Sequence, residues 1–307
     1  MPGDHLHDPR TPGPASAPPL PRRPALRPGL HVVRRDDRHL QVGIDPPHVL
    51  VLPDEPLTRR LLEELRAGVT PDLAAPAARR LVADLAARGL VVDGAVRDAT
   101  LGAAEDRGAA AAAFAQFGDD AARRLADRDR ARVRVEAAPD TEQAATRLLR
   151  ASGVGLAAVT DEPTAVLVVC DEALPRARVD PLVRAGLPHL VVAPASGGVV
   201  VGPFVVPGLT ACLRCVDAAR AERDPRRPVL LEQCHRGTAV AGPTPRDPSL
   251  HAVAVGLAVR DLVSFVDGDR PATWSATVTV GPDLALARQA WRRHVHCGCA
   301  WDELLAV

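Results

Sequence analysis

The chain has 307 residues, with 38 Arg plus Lys against 38 Asp plus Glu and a formal net charge of zero. That length holds one large domain or two smaller ones with real cores, and the charge balance excludes a general basic field for nucleic acid or an anionic membrane. Every cation is Arg, and with 30 Pro and abundant Ala the composition carries the mark of GC-rich coding, so counts of Ala or Arg say little by themselves.

Residues 1–28 hold nine Pro and no continuous apolar core, so they read as a disordered Pro-rich tail and not as a signal peptide. No run of about 18 apolar residues lacks a charge, so no membrane span is expected. Six Cys are too few for a disulfide scaffold, and the expected address is cytoplasmic. Three short strands follow, at 30–33, 40–44 and 49–52. Two helices then open at Pro56 and Pro76 and stop at Gly68 and Gly89, and Leu90-Val91-Val92 returns as a strand. This package, residues 29–93, has the outline of a small winged-helix domain. Residues 94–112, rich in Ala and Gly, read as a linker. From 113 to 307 the rhythm changes to strands at 133–135, 165–170 and 189–192 alternating with helices at 141–151 and 179–185. Continuous Val/Leu runs separated by helices predict a doubly wound α/β domain with parallel strands covered on both faces. A long helix at 250–265 and a hairpin of 274–280 with 284–289 complete it.

The strongest chemical signal is Cys212-Leu213-Arg214-Cys215 together with Cys297-Gly298-Cys299. Two close thiolate pairs from distant parts of the chain supply the four sulfurs of a tetrahedral structural zinc site. His294 and His296 flank the second pair and stand as alternative donors for one thiolate, and the competing reading is two pairs of metal-free thiols. A shell closed by four thiolates has no position for water, so it ties the C-terminal segment down and does no hydrolysis. Cys170 ends an apolar strand and reads as a small buried hydrophobe or, less simply, a nucleophile. Cys234-His235 has the residue types of a nucleophile and base, but chain neighbours rarely meet in that geometry. Gly153-Val154-Gly155 reads as ordinary turn chemistry. Nucleotide binding needs a glycine turn after the first strand of such a domain. The equivalent turn, Glu136-Ala137-Ala138-Pro139-Asp140, has no Gly and puts two carboxylates where phosphate would sit. No ATP and no catalytic residue are therefore expected.

The stretch from Gly202 through Pro207-Gly208-Leu209-Thr210-Ala211-Cys212-Leu213-Arg214-Cys215 to Asp217, continued by Arg223-Asp224-Pro225 and closed by His296-Cys297-Gly298-Cys299, resembles the ThiF-like (ocin-ThiF type) leader-peptide-binding proteins of thiazole/oxazole-modified, azole-containing peptide (TOMM) biosynthesis. The resemblance covers most of residues 30–300. It implies an N-terminal winged-helix recognition element of PqqD-like fold at residues 30–93 that binds the leader of a ribosomal precursor peptide. It also implies a ThiF/ubiquitin-activating-like α/β domain holding structural zinc on Cys212, Cys215, Cys297 and Cys299. The partner it implies is a separate YcaO-type cyclodehydratase that uses ATP to cyclise Cys, Ser or Thr. A homodimer is left open.

Within that resemblance, the third strand exposes unpaired backbone groups to which an extended leader can add. Val49, Val51, Leu81 and Leu85 are the candidate apolar contacts, each also readable as core. Arg79 and Arg80 are candidate partners for an acidic leader, or simply a solvated face. Two functions compete with this adaptor. One is a ThiF-type adenylating enzyme, which the missing glycine loop disfavours. The other is a winged-helix DNA regulator, for which residues 76–88 offer only Arg79, Arg80 and Arg88.

Overall fold

A computed structural model describes residues 20–172, 174–195, 197–235 and 245–299. It divides into two compact units at Ala122/Arg123. Of the Pro-rich stretch, residues 1–19 lie outside the described residues, as do 300–307.

In the first unit, β1 (Pro24–Leu26) is followed by β2 (Val32–Arg34), β3 (His39–Val42) and β4 (Leu50–Pro53), then α1 (Pro56–Ala67), α2 (Pro76–Ala87), β5 (Val91–Asp93), α3 (Gly94–Ala103) and α4 (Arg107–Phe117). Pro at the first turn of α1 and of α2 has its φ already set for a helix and no N–H to leave unpaired. Gly68 closes α1 at φ 71°, a left-handed conformation that lets the Val69 amide reach the Glu64 carbonyl at 2.9 Å. β2, β3 and β4 form an antiparallel sheet in that order. Leu52, Val42, Leu62, Leu65, Val82, Leu85 and Leu90 build its core against the two helices. Each fully buried Leu here contributes about 1.5–3 kcal/mol.

Two expectations change in this unit. Residues 24–26, inside the stretch read as a tail, form β1 and pair antiparallel with Val91–Asp93. Ala25 and Leu26 are buried there, a short apolar pair that average composition hides. Arg27 is buried beside them, donating from Nε to the Phe114 carbonyl and from Nη1 to the Gly89 carbonyl, each at 3.0 Å. The stretch read as a linker forms α3 and most of α4. The Asp93 carboxylate accepts the Ala95 and Val96 amides and Asp106 accepts the Ala109 amide, and between these caps an Ala-rich sequence is a strong helix former.

The second unit begins with α5 (Ala121–Arg130), which spans the boundary, and continues with β6 (Arg132–Glu136), α6 (Pro139–Ala151), β7 (Gly155–Leu156), β8 (Ala165–Val169), α7 (Asp180–Arg184), β9 (His189–Ala195), β10 (Gly198–Val205), α8 (Leu213–Ala221), α9 (Arg227–His235), α10 (Pro248–Val266), β11 (Ala276–Val280) and β12 (Leu286–Ala290). One seven-stranded sheet runs β12-β11-β10-β9-β8-β6-β7. β7, β6, β8 and β9 are parallel, while β10, β11 and β12 run antiparallel to their neighbours. The sheet is therefore mixed, not wholly parallel. The continuous apolar run in β8 works as expected: Ala165, Leu167 and Val169 pack with α6 and α10, and Val166 and Val168 pack with Leu182 of α7 and Leu213 of α8. Successive strand residues point to opposite faces, so a strand covered on both sides has no polar alternation to show. α10 is the one helix among the described residues that is long and apolar enough to cross a membrane, and half of that apolar stretch is buried within the unit.

Candidate functional site

The cysteines meet beside the amino ends of the parallel strands. Strand β10 ends at Val205 opposite His189, the first residue of β9. The turn that follows is fixed by the Thr210 hydroxyl, which donates to the Phe204 carbonyl at 3.0 Å and accepts the Val206 amide at 2.7 Å. This delivers Cys212 to the cap of α8. Cys215, three residues on, lies on the same helical face. The second pair arrives after β12, anchored by Trp291, whose indole N–H donates to Thr277 Oγ1 at 3.0 Å.

All four sulfurs lie within 4.8 Å of one another. Cys212 Sγ is 3.7 Å from Cys215, 3.4 Å from Cys297 and 3.6 Å from Cys299, and Cys215 Sγ is 3.2 Å from Cys299. A tetrahedron of sulfurs about 2.3 Å from zinc has edges of about 3.8 Å, so the array needs only a slight expansion to take the ion. Cys212, Cys215 and Cys297 are buried and Cys299 is half-buried. Hydrogen bonds from the Cys212 thiol draw Cys215 down and bring Cys299 to about 7, while its bond with Cys215 holds Cys212 itself up. Buried thiols that share protons in this way favour a divalent cation that displaces them. The His294 amide donates to Cys215 Sγ at 3.3 Å, an outer contact that stabilises a thiolate. The donor set fits zinc. The His294 ring is engaged elsewhere, with Nε2 on Glu222 at 2.9 Å and Nδ1 accepting the His296 amide at 3.2 Å, and the cluster among the described residues consists of the four cysteines.

The opposite, carboxyl ends of β8 and β9 frame a crevice of about 540 Å³, lined by Cys170, Asp171, Ala195, Arg246, Asp247 and His251 among others. After β6 the chain passes straight into α6, with Ala138 as the cap and Pro139 in the first turn. No glycine opens a path for phosphate there. At the start of α10 the Asp247 carboxylate already accepts the Ser249 and Leu250 amides at 2.8 and 3.1 Å. The positive helix end that would attract an anion is thereby neutralised. Arg246 is held by Asp171 at 2.9 Å, and His251 Nε2 meets Thr141 Oγ1 at 3.2 Å. Burial pushes the Cys170 thiol up, although Arg178 Nη1 donates to its sulfur at 3.2 Å. That burial against the Val166 and Val168 face fits the reading of Cys170 as a small buried hydrophobe. Gly153, at φ 80°, closes α6 with its amide on the Arg150 carbonyl at 2.9 Å. The side chains of Cys234 and His235 lie outside the described residues.

In the first unit β4 is an edge strand among the described residues. Its alternation sorts the candidate contacts. Leu52 is in the core and Leu50 and Leu81 pack partly against it, on the side that carries α2. Val51 pairs with Gln41 on the other face and is 38% exposed. Val49 precedes the strand and is half-buried. Leu85, on the inner face of α2, is fully buried in the core of this unit. Arg79 and Arg80 are exposed on α2, with Arg79 Nη2 donating to the Ala74 carbonyl at 3.3 Å. Period-two alternation puts Leu50 and Leu52 on the α2 side of β4 and Val51 on the other.

No protein-family profile matches the chain, and no curated protein matches it. Among solved structures, a heterocyclase in complex with substrate and cofactor is similar at a TM-score of 0.64 and 18% identity, over 90% of this chain and 39% of that one. The heterocyclase TruD is similar at 0.68 and 16%, over 91% of this chain and 42% of its own. E. coli MccB with ATP is similar at 0.60 and 13%, over 90% and 99%. At these identities the likeness establishes the fold, and the chain spans less than half the length of either heterocyclase.

Proposed function

We propose that this protein captures the leader of a ribosomally made precursor peptide and presents it to a YcaO-type cyclodehydratase for azoline formation, without itself activating a carboxylate with ATP. In this reading the first unit is the winged-helix recognition element. The leader adds as a strand to the open edge of β4, placing apolar side chains beside Leu50 and Leu81 and acidic ones near Arg79 and Arg80. Main-chain bonds supply affinity and the side-chain pockets supply specificity. The second unit holds zinc on the four cysteines as a structural clamp and gives the complex its platform.

The observation that carries the reading is the turn after β6. A chain with the fold of a heterocyclase and of an ATP-bound protein has Glu136-Ala137-Ala138-Pro139 where phosphate would need glycine amides. The competing reading, an adenylating enzyme, draws support from the crevice of about 540 Å³ at the strand ends. Fluorescence anisotropy separates the two, using a labelled leader from a precursor reading frame encoded beside the protein, titrated with and without ATP. Binding that is indifferent to ATP is the expected result. Binding that requires ATP, accompanied by pyrophosphate release, restores the enzyme.

A further inference from the structure

A cavity of about 980 Å³ opens between α7, α8 and α9 and borders the cysteine cluster. His189, the first residue of β9, lies on its wall and is only 1% exposed. Alternation along β9 puts it on the face of Val191, the side of the sheet covered by Leu182 of α7 and Leu213 of α8. Its Nδ1 is 2.9 Å from the Leu187 carbonyl, which can only accept, so Nδ1 carries a proton. Burial holds the ring below the ordinary histidine range and therefore neutral, which leaves the lone pair on Nε2. That nitrogen is buried and has no hydrogen-bond partner among the described residues. A buried acceptor left unmet costs about 1–3 kcal/mol.

The charged groups around the cavity are occupied with one another. Arg176 Nη2 donates to Asp217 at 2.8 Å and Arg214 Nε to Asp180 at 2.8 Å, and these two pairs tie α8 to the segment at 176–180. Arg184 and Glu232 are exposed, and Glu232 is already engaged. The rest of the wall is largely apolar, with Val179, Val183, Leu213 and Leu231. A metal ion is a poor match for Nε2, because the ligating atoms that cluster among the described residues are the four cysteine sulfurs, His189 excluded. We propose that this cavity binds a small uncharged organic molecule with an apolar body and one O–H or N–H group, which donates to His189 Nε2. A phenol or an indole is the simplest member of that class. The volume lies at the upper end of the range small-molecule sites occupy, about 300–1,000 Å³, and an apolar wall with one fixed polar group is their usual make-up. The site is independent of leader capture, so its failure leaves the adaptor reading intact.

The test titrates the full, zinc-loaded chain with phenol and indole, and with toluene and benzothiophene, which keep the shape and lose the donor. Affinities come from calorimetry, and a long-range proton–nitrogen spectrum reads the His189 ring directly. Phenol and indole are expected to bind saturably and to move the His189 Nε2 resonance, which toluene does not move in the same way. In His189→Phe the ratio of phenol to toluene affinity is expected to fall by about tenfold or more, since the acceptor is gone while the ring remains. Should that variant fail to fold, Ala218→Phe, at a half-buried position on the same wall, is expected to weaken phenol and indole by about tenfold by filling the space. Absence of saturable binding by both donors overturns the proposal and leaves the acceptor to water. An Nε2 resonance unmoved by phenol, an unchanged affinity ratio in His189→Phe, or undiminished binding by Ala218→Phe overturns it equally.

Discussion

The two ends of the parallel strands in the large sheet both gather polar or ligating side chains and satisfy them in different ways. At the amino ends, four cysteines from two distant segments converge on one point, and their sulfurs hydrogen-bond one another and the His294 amide. At the carboxyl ends, where an α/β fold usually holds its ligand, the polar groups are already matched. Arg246 holds Asp171, Asp247 caps α10, and His251 meets Thr141. Convergent sulfurs bonded chiefly to one another mark a place for an added cation. Donors and acceptors that satisfy one another mark structure, however suggestive their position.

The sharpest way to break this comparison is to remove a ligand. Cys215→Ser is expected to reduce zinc from about one ion per chain to none and to lower the melting temperature by more than about 10 °C, because structural zinc contributes on the order of 10 kcal/mol. Metal analysis alongside a thermal scan checks both, and an unchanged midpoint would mean that the cluster is an arrangement of thiols and nothing more. Next in size is the opposite end. Asp247→Ala removes a helix cap and is expected to cost about 1 kcal/mol in urea denaturation without creating ATP binding in a titration. ATP binding by this variant would show that the carboxylate alone had closed the crevice.

A smaller effect reaches both ends at once. Burial holds His189 and His251 below the ordinary histidine range, so the folded protein keeps both neutral while the unfolded chain takes up protons near pH 6.5. The unfolded state then binds more protons, and stability falls as pH drops through about 6.5. Thermal midpoints in excess zinc should decline from about pH 7.5 to about 5.5, and His251→Gln should flatten the decline. The smallest effect lies in the first unit, where Arg79→Glu and Arg80→Glu are expected to weaken leader binding only about two- to fivefold, and less at high salt, as exposed charges do.

Much of this was legible in the chain itself. The four cysteines, the gap where a glycine loop belongs and the apolar run of β8 all declare themselves through local residue types. Other features did not, for reasons that are physical. The pairing of Pro24–Leu26 with Val91–Asp93 depends on a partner about 65 residues away, and composition averaged over a Pro-rich stretch cannot report it. The helices at 94–103 and 107–117 hinge on Asp93 and Asp106 as caps, single residues that turn an Ala-rich linker into ordered structure. The antiparallel half of the large sheet was only half visible, because β10 is as apolar as its parallel neighbours and direction leaves no trace in hydrophobicity. On β4, Val49, Leu50, Val51 and Leu52 are all apolar, so pattern alone does not choose which of them faces α2.

Hydrogen exchange of the full chain with and without a leader peptide, in the absence of ATP, tests the central claim most directly. The account predicts new protection at the β4 amides of residues 50–52 and in α2, with the turn at 136–138 and the start of α10 unchanged. Protection at the turn and α10, appearing only when ATP is added, would contradict it and make the crevice the working site.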